Sequence, residues 1–325
     1  MNAHNSDHSN PSTSFNRREF LASAGLALLG AAAHGCATAK AVAEPIIDIH
    51  QHVGYMGRGN EALVAHQRAM GVSKTILLPA GRPLQIPATL NGVGNGLQAK
   101  ALGNEACCQL ARAHPREFYF GGNEVPGIPE TRSEIEKYLK RGGIILAEQK
   151  FSVDCDGPEM RQIYEIAQAN GVPVLLHFEF RKYNHGLERL HTMLERYPRV
   201  TFICHAQTWW ANIDKNHRDQ AVLYPKGPVT PGGITDRLLS DYPNIYGDFS
   251  AGSGQNALTR DEAFARDFLE RHQDRLLFGS DCHDSAGCEP NCIGAKTIAT
   301  LRRLSPSKAI ERKVLYGNAK KLFRL

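Results

Sequence analysis

From residue 45 onward, short apolar runs alternate with longer segments whose apolar residues recur every three or four positions. The runs IIDIH (46–50), KTILLP (74–79), EFYFGG (117–122) and GIILAE (143–148) read as four strands. VPVLLH (172–177), VTFICH (200–205), NIYGDF (244–249) and RLLFGSD (275–281) read as four more. Between them lie helical patterns such as GNEALVAHQRAMG, TRSEIEKYLKRG, GPEMRQIYEIAQANG and TRDEAFARDFLERHQ, several ending at Gly or just before Pro. Continuous apolar strands alternating with helices predict a parallel sheet covered on both faces. Eight such units in roughly 280 residues suit a single-domain (β/α)8 TIM barrel over residues 44–325, since about 250 residues is typical of that fold. A doubly wound open sheet is the rival, but its glycine fingerprint is missing from the first turn.

Residues 1–43 follow another pattern. A polar stretch precedes NRREFLASAGLALLGAAAHGCATAKAVAEP, which pairs Arg17 with Arg18 ahead of an apolar run too short and too rich in Ala and Gly to span a bilayer. Small residues stand at cleavage spacing, Ala37 with Ala39 or Ala41 with Ala43. The segment resembles a twin-arginine signal, so an exported, periplasmic mature chain is expected. Cys36 after Gly35 raises a lipoprotein anchor as the lesser reading, because AHGC lacks a leucine three residues before the cysteine.

Composition adds exclusions. The 325 residues are 42% hydrophobic and 22% charged, which is ordinary for a soluble globular protein. A net charge of +5, or +4 without residues 1–43, and the absence of any Lys/Arg run argue against nucleic acid. No further run predicts a membrane span, so the expected partner is a small-molecule substrate, with a homo-oligomer left open. No cysteine pair has C-x-x-C spacing, so a structural zinc knuckle is not expected. A Cys288–Cys292 disulfide and scattered buried thiols are the two readings of the cysteines.

The chemistry gathers at strand ends. His50 and His52 close the first strand, Glu148 the fourth, His177 the fifth, His205 the sixth and Asp281 the eighth. In a barrel all these ends open on one face, and residues i and i+2 of a strand point the same way. Imidazoles and carboxylates without thiolates suit zinc, manganese or iron(II), with zinc the usual choice for hydrolysis. Asp48 faces the same side, either orienting a ligand or buried in an ion pair. No G-x-S-x-G elbow and no P-loop is present.

DIHQH, LLHFE, FICHA, LLFGSD and the closing VLYGNAKKLFRL together resemble the amidohydrolase superfamily of metal-dependent hydrolases, in its amidohydrolase-related branch, over most of residues 45–325. The resemblance implies that His50, His52 and Asp281 hold a first divalent metal, with His177 a further ligand. His205 would be a second-metal ligand or, in one-metal members, a catalytic group. Two-metal members bridge their ions at the fourth strand, where Glu148 looks like the glutamate of TatD-like deoxyribonucleases and Lys150 stands two residues on. One or two ions therefore stay open.

Asp281 is expected as the catalytic acid–base group, with His205 stabilising an oxyanion if it is not metal-bound. Trp209, Trp210, Asn256 and His283 are candidate substrate-binding residues, with helix packing the rival for the tryptophans. The segment GDFSAGSGQNAL reads as a flexible substrate loop carrying Asp248, Ser250 and Asn256. The expected reaction is hydrolysis of an amide, cyclic amide, lactone or ester. A metal-dependent decarboxylase of an aromatic or unsaturated acid is the first alternative, and a non-catalytic metal- or ligand-binding barrel the second.

Overall fold

All eight apolar runs form strands. In the computed structural model, which describes residues 44–90, 97 and 100–325, the leader expected at 1–43 lies outside the described residues. β1 (Ile46–Gln51), β2 (Val72–Leu77) and β3 (Phe118–Phe120) make one parallel ladder. β4 (Leu146–Gln149), β5 (Val174–His177), β6 (Phe202–His205), β7 (Ile245–Asp248) and β8 (Leu276–Leu277) make another. Backbone bonds stitch both seams: Gly122 N donates to Ile145 O at 2.9 Å and Ile49 N to Phe278 O at 3.1 Å. The chain is a (β/α)8 barrel.

α1 (Asn60–Ala69), α2 (Asn104–Ala113), α3 (Thr131–Lys140), α4 (Pro158–Asn170) and α5 (Leu190–Arg196) follow the first five strands in turn. α6 (Gln207–Ala211) and α7 (Ile234–Asp241) follow β6, and α8 (Ala251–Thr259) and α9 (Glu262–Arg271) follow β7. α10 (Ile293–Leu304), α11 (Lys308–Arg312) and α12 (Asn318–Phe323) complete the chain. Local chemistry sets several ends. α4 begins with Pro158 in its first turn and stops at Gly171, whose φ of 64° suits glycine. Asp261 caps α9 by accepting from Phe264 N at 3.1 Å.

Strand alternation sorts the core into two layers. Val174, Leu176, Phe202, Cys204 and Leu276 pack outward against the helices. Leu175, Ile203 and Leu277 point inward with Ile47, Ile76 and Ala147, closed below by Ala319 and Phe323 of α12. Each such buried side chain contributes about 1.5–3 kcal/mol. The inward rows of β5 and β6 run on from Leu175 to His177 and from Ile203 to His205, so the same alternation that fills the barrel delivers imidazoles to its mouth.

Two expectations are corrected here. GDFSAGSGQNAL is not a flexible loop, for residues 251–259 are the helix α8. Its glycines serve close packing, since a Cβ at Gly254 would stand 2.2 Å from Phe249 O. The Cys288–Cys292 disulfide does not form: Cys288 is exposed, Cys292 is buried, and all seven described cysteines are free. Among the described residues, no helix is long and apolar enough to cross a membrane.

Candidate metal centre

His177 and His205 are register partners on the adjacent strands β5 and β6. The pairing is irregular at the two strands that supply the other first ligands, with register shifts between Asp48 and Gln51 and between Leu146 and Gln149. Such irregularities re-aim side chains beside active sites. They let Ile49 and Ala147 join the inner apolar cluster while their neighbours His50 and Glu148 reach the mouth.

The ligand atoms converge in two groups. His50 Nε2 lies 3.2 Å from His52 Nε2. Asp281 Oδ1 stands 3.4 Å from His52 Nε2 and 4.0 Å from His50 Nε2. His177 Nδ1 and His205 Nε2 are 3.0 Å apart. Glu148 joins the groups: Oε1 is 2.6 Å from both His177 Nδ1 and His205 Nε2, whereas Oε2 is 3.5 Å from His52 Nε2 and 3.7 Å from His50 Nε2.

An outer ring of acceptors assigns the ring protons. His50 Nδ1 donates to Asp248 Oδ2 at 2.8 Å, His52 Nδ1 to Leu78 O at 2.8 Å, and His177 Nε2 to Glu179 Oε2 at 3.3 Å. The Ser250 hydroxyl donates to Asp248 Oδ2 at 2.8 Å and so accepts from His205 Nδ1 at 3.0 Å. Carbonyl and carboxylate oxygens only accept, so each neutral imidazole turns a bare lone pair toward the centre. Four lone pairs and two carboxylates facing one another call for positive charge, and this outer-shell support is typical of metal-binding histidines.

Two orphaned atoms carry the fit. Glu148 Oε2 and Asp281 Oδ1 are buried without a hydrogen-bond partner, although both aim into this group. Ligands at about 2.0–2.2 Å from a tetrahedral zinc stand about 3.3–3.6 Å from one another, close to the 3.2 and 3.4 Å spacings in the His50, His52 and Asp281 group. The Glu148, His177 and His205 group is tighter, and its two 2.6 Å contacts would open by more than about half an ångström around an ion. Donor types and number suit a divalent ion in each.

The electrostatics agree. Burial works against charge on His50, but Asp281, Asp248 and Glu148 outweigh it and hold its pKa well above the ordinary value. Burial, then the charge on His50, pushes His205 down to about 4, leaving it neutral. Burial opposes ionisation of Glu148, yet Lys150, His177 and His205 hold its carboxyl well below the usual range. The raised His50 pKa means that, with no ion bound, a proton takes the place at its inner nitrogen that a cation would occupy.

Several expected residues stand elsewhere. Trp209 and Trp210 are buried and do not line an exposed mouth. Trp210 stacks on Phe249 at 4.4 Å and donates from Nε1 to Asp248 O at 2.9 Å, because α6 turns its apolar face onto the barrel wall. Asn256 sits on α8, with no side-chain contact to the ligand group. His283 is exposed at the rim, its ring 5.7 Å from that of Tyr55. Lys150, one residue past the end of β4, reaches over the Tyr183 ring instead of joining the histidines. Asp48 accepts from His50 N at 3.0 Å and from Ser280 N at 2.9 Å, tying β1 to the end of β8.

Other residues escaped the sequence reading in these roles. Asp248 and Ser250, read as loop residues, orient His50 and His205. Glu179 supports His177, and its signal was the i, i+2 spacing in HFE. Tyr55 packs 5.1 Å from the His52 ring, beside the Asp281 carboxylate. The Asp281 charge, then burial, drives the phenol upward, so it stays a proton donor. Gly279 of the GSD turn has a close-approach role: a Cβ there would stand 2.4 Å from Asp248 Oδ1 and 2.7 Å from His50 Cβ.

The family model described as "Amidohydrolase" matches residues 47–325. No curated protein sequence matches the chain. Among solved structures, a 2,6-dihydroxybenzoate decarboxylase in complex with 2,6-dihydroxybenzoate is 14% identical with a TM-score of 0.55, covering 87% of this chain and 100% of that one. A probable 2-pyrone-4,6-dicarboxylic acid hydrolase from Acinetobacter baumannii, with citric acid bound, is 12% identical with a TM-score of 0.56, covering 86% and 99%. A dihydroxybenzoic acid decarboxylase from a Polaromonas species, with bound manganese, is 16% identical with a TM-score of 0.52, covering 87% and 97%. At these identities the likeness is one of fold.

Proposed function

We propose, from the premise that this chain belongs to the amidohydrolase family, that it is a two-metal hydrolase cleaving a C–N or C–O bond at a carbonyl. The observation that carries this is the Glu148 carboxylate, with one oxygen against His177 and His205 and the other facing His50 and His52. That arrangement suits one carboxylate shared by two ions. We assign zinc, because the donors are imidazole and carboxylate without thiolate.

A divalent ion bound there lowers the pKa of a coordinated water to about 7 and polarises a carbonyl oxygen. The chain's own groups manage the protons. Asp281 would hold an ion through Oδ1, and its other carboxylate oxygen accepts the proton of the attacking water and returns it to the leaving group. Tyr55, held protonated, donates to the developing oxyanion or to a substrate oxygen. Asp248, Ser250 and Glu179 keep the imidazoles in the tautomers that leave their inner nitrogens bare.

A cavity of about 190 Å³ adjoins the centre, lined in part by Tyr55, Lys100, Lys150, Lys182 and Tyr183. Glu179 also lines it and pairs with Lys182 at 2.6 Å, so Lys100 and Lys150 beside two tyrosines are the groups that favour a small carboxylate-bearing substrate. Larger clefts of about 580 and 490 Å³ open elsewhere, and the second shares only Glu179 with the centre's surroundings.

Decarboxylation is the second reading, favoured by the names of two fold neighbours. Assaying the zinc-loaded chain against lactones, esters and cyclic amides, each with and without a carboxylate, and against hydroxybenzoates decides between them. Turnover of a carboxylated lactone, ester or amide with water supports hydrolysis. Carbon dioxide release alone overturns it.

A further inference from the structure

Outside that centre, four soft donors from distant parts of the chain meet in the outer layer of the barrel. His66 lies near the end of α1, Met70 at its C-terminal cap, Cys282 directly after Asp281, and Cys292 at the N-cap of α10. Cys292 Sγ is 3.3 Å from His66 Nε2, 3.6 Å from Cys282 Sγ and 3.4 Å from Met70 Sδ. All four side chains are buried, and the donor atoms of His66, Cys282 and Cys292 lie within 4.8 Å of one another.

We propose that His66, Cys282 and Cys292, with the Met70 thioether alongside, form a second metal site for a soft d10 cation, Zn(II) or Cu(I). Thiolate bonds of about 2.3 Å and imidazole bonds of about 2.0–2.1 Å set tetrahedral edges of about 3.8 Å for sulfur to sulfur and about 3.5 Å for nitrogen to sulfur. The separations of 3.6 and 3.3 Å lie near those edges. They are far from the bond length of about 2.05 Å that a disulfide needs. The donor set contains no oxygen, so hard ions such as magnesium or calcium do not suit it, whereas thiolate and thioether select Cu(I) and Zn(II).

The surroundings are built for a thiolate and a thioether. Cys292 Sγ accepts from Ala295 N at 3.3 Å at the first turn of a twelve-residue helix, where the helix end favours negative charge. Gly294 leaves room for the thioether, because a Cβ there would stand 2.7 Å from Met70 Sδ.

The two cysteines bracket residues 283–291, and an ion between them closes that excursion onto α1. Gln51 already donates to Cys282 O at 3.0 Å from the same side, so the clip would brace the backbone that presents Asp281. This proposal does not depend on which reaction the barrel mouth performs.

The test uses the full chain, reduced and stripped of metal, titrated separately with Co(II) as a spectroscopic stand-in for zinc and with Cu(I). Thiolate-to-metal charge-transfer absorption reports sulfur ligation, which the other centre lacks, and the Cys292 variant assigns it to this site among the chain's cysteines. One equivalent of that signal is expected with Co(II), with Cu(I) or with both, and the responding ion distinguishes zinc from copper chemistry. The signal should be lost in Cys292→Ser and kept in the His50→Ala/His52→Ala double variant. Absence of thiolate absorption with either ion in the folded wild-type chain overturns the proposal. Recovery of a Cys282–Cys292 disulfide from chains alkylated at lysis overturns it equally.

Discussion

Glu148 Oε1 stands 2.6 Å from His205 Nε2 while its other oxygen turns toward β1. One buried side chain thereby belongs to two ligand groups. Glu148→Gln keeps the shape and removes the charge. If two ions share this carboxylate as proposed, metal content should fall from two per chain toward one, and kcat should drop by more than the about 10–100-fold typical of losing a residue that orients a ligand. Elemental analysis of the dialysed variant beside its rates checks both. An unchanged count would remove the shared carboxylate from the argument.

Gly279 holds Asp248 and His50 in place by its lack of a side chain. In Gly279→Ala the new methyl meets the Asp248 carboxylate, and Asp248 loses its grip on His50 Nδ1. Chelator competition should show metal affinity falling about 10–100-fold. Circular dichroism should report an intact barrel. Affinity equal to wild type would mean that the turn relaxes at no cost to the ligands.

Trp210 is wall, not pocket. Trp210→Ala should destabilise the chain by about 3–5 kcal/mol through lost packing on Phe249 and Phe268. KM of the folded fraction should stay near the wild-type value. A large rise in KM with unchanged denaturant midpoint would restore Trp210 to the substrate site.

Stability has a titrating component away from the barrel mouth. Asp236 on α7 accepts from His272 at 2.7 Å and from Arg271. Burial alone would raise its pKa, but these two bonds prevail and hold it at about 2, against an ordinary 3.8. A depressed folded-state pKa stabilises above the unfolded value and loses that contribution as pH falls through the folded one. Asp236→Asn should therefore cost about 2 kcal/mol at pH 7. The gap to wild type should close between about pH 4 and pH 2. Denaturant midpoints across that range test it, and a gap independent of pH would refute the ionic origin.

Period and order were legible along the chain. Apolar runs of strand length, spaced by helical patterns, located all eight strands, although β2 begins earlier than read and β8 shortens to two residues. The end of each run marked His50, His52, Glu148, His177, His205 and Asp281, because a parallel barrel turns every such end to one face. That inference needed only local pattern plus topology.

Folding in three dimensions decided the rest, for reasons that period cannot carry. Alternation says which residues share a face, but the register shift between Leu146 and Gln149 brought Glu148 to the histidines, while Lys150, just past β4, lies over Tyr183. Helical spacing does not reveal which side of α6 meets the wall, so the tryptophans could be read as pocket or packing until their burial was known. Asp248 became a partner of His50, and Cys292 a neighbour of His66, only when segments some two hundred residues apart were brought together. Contacts of that range are set by the closure of the barrel as a whole, which no window of sequence contains.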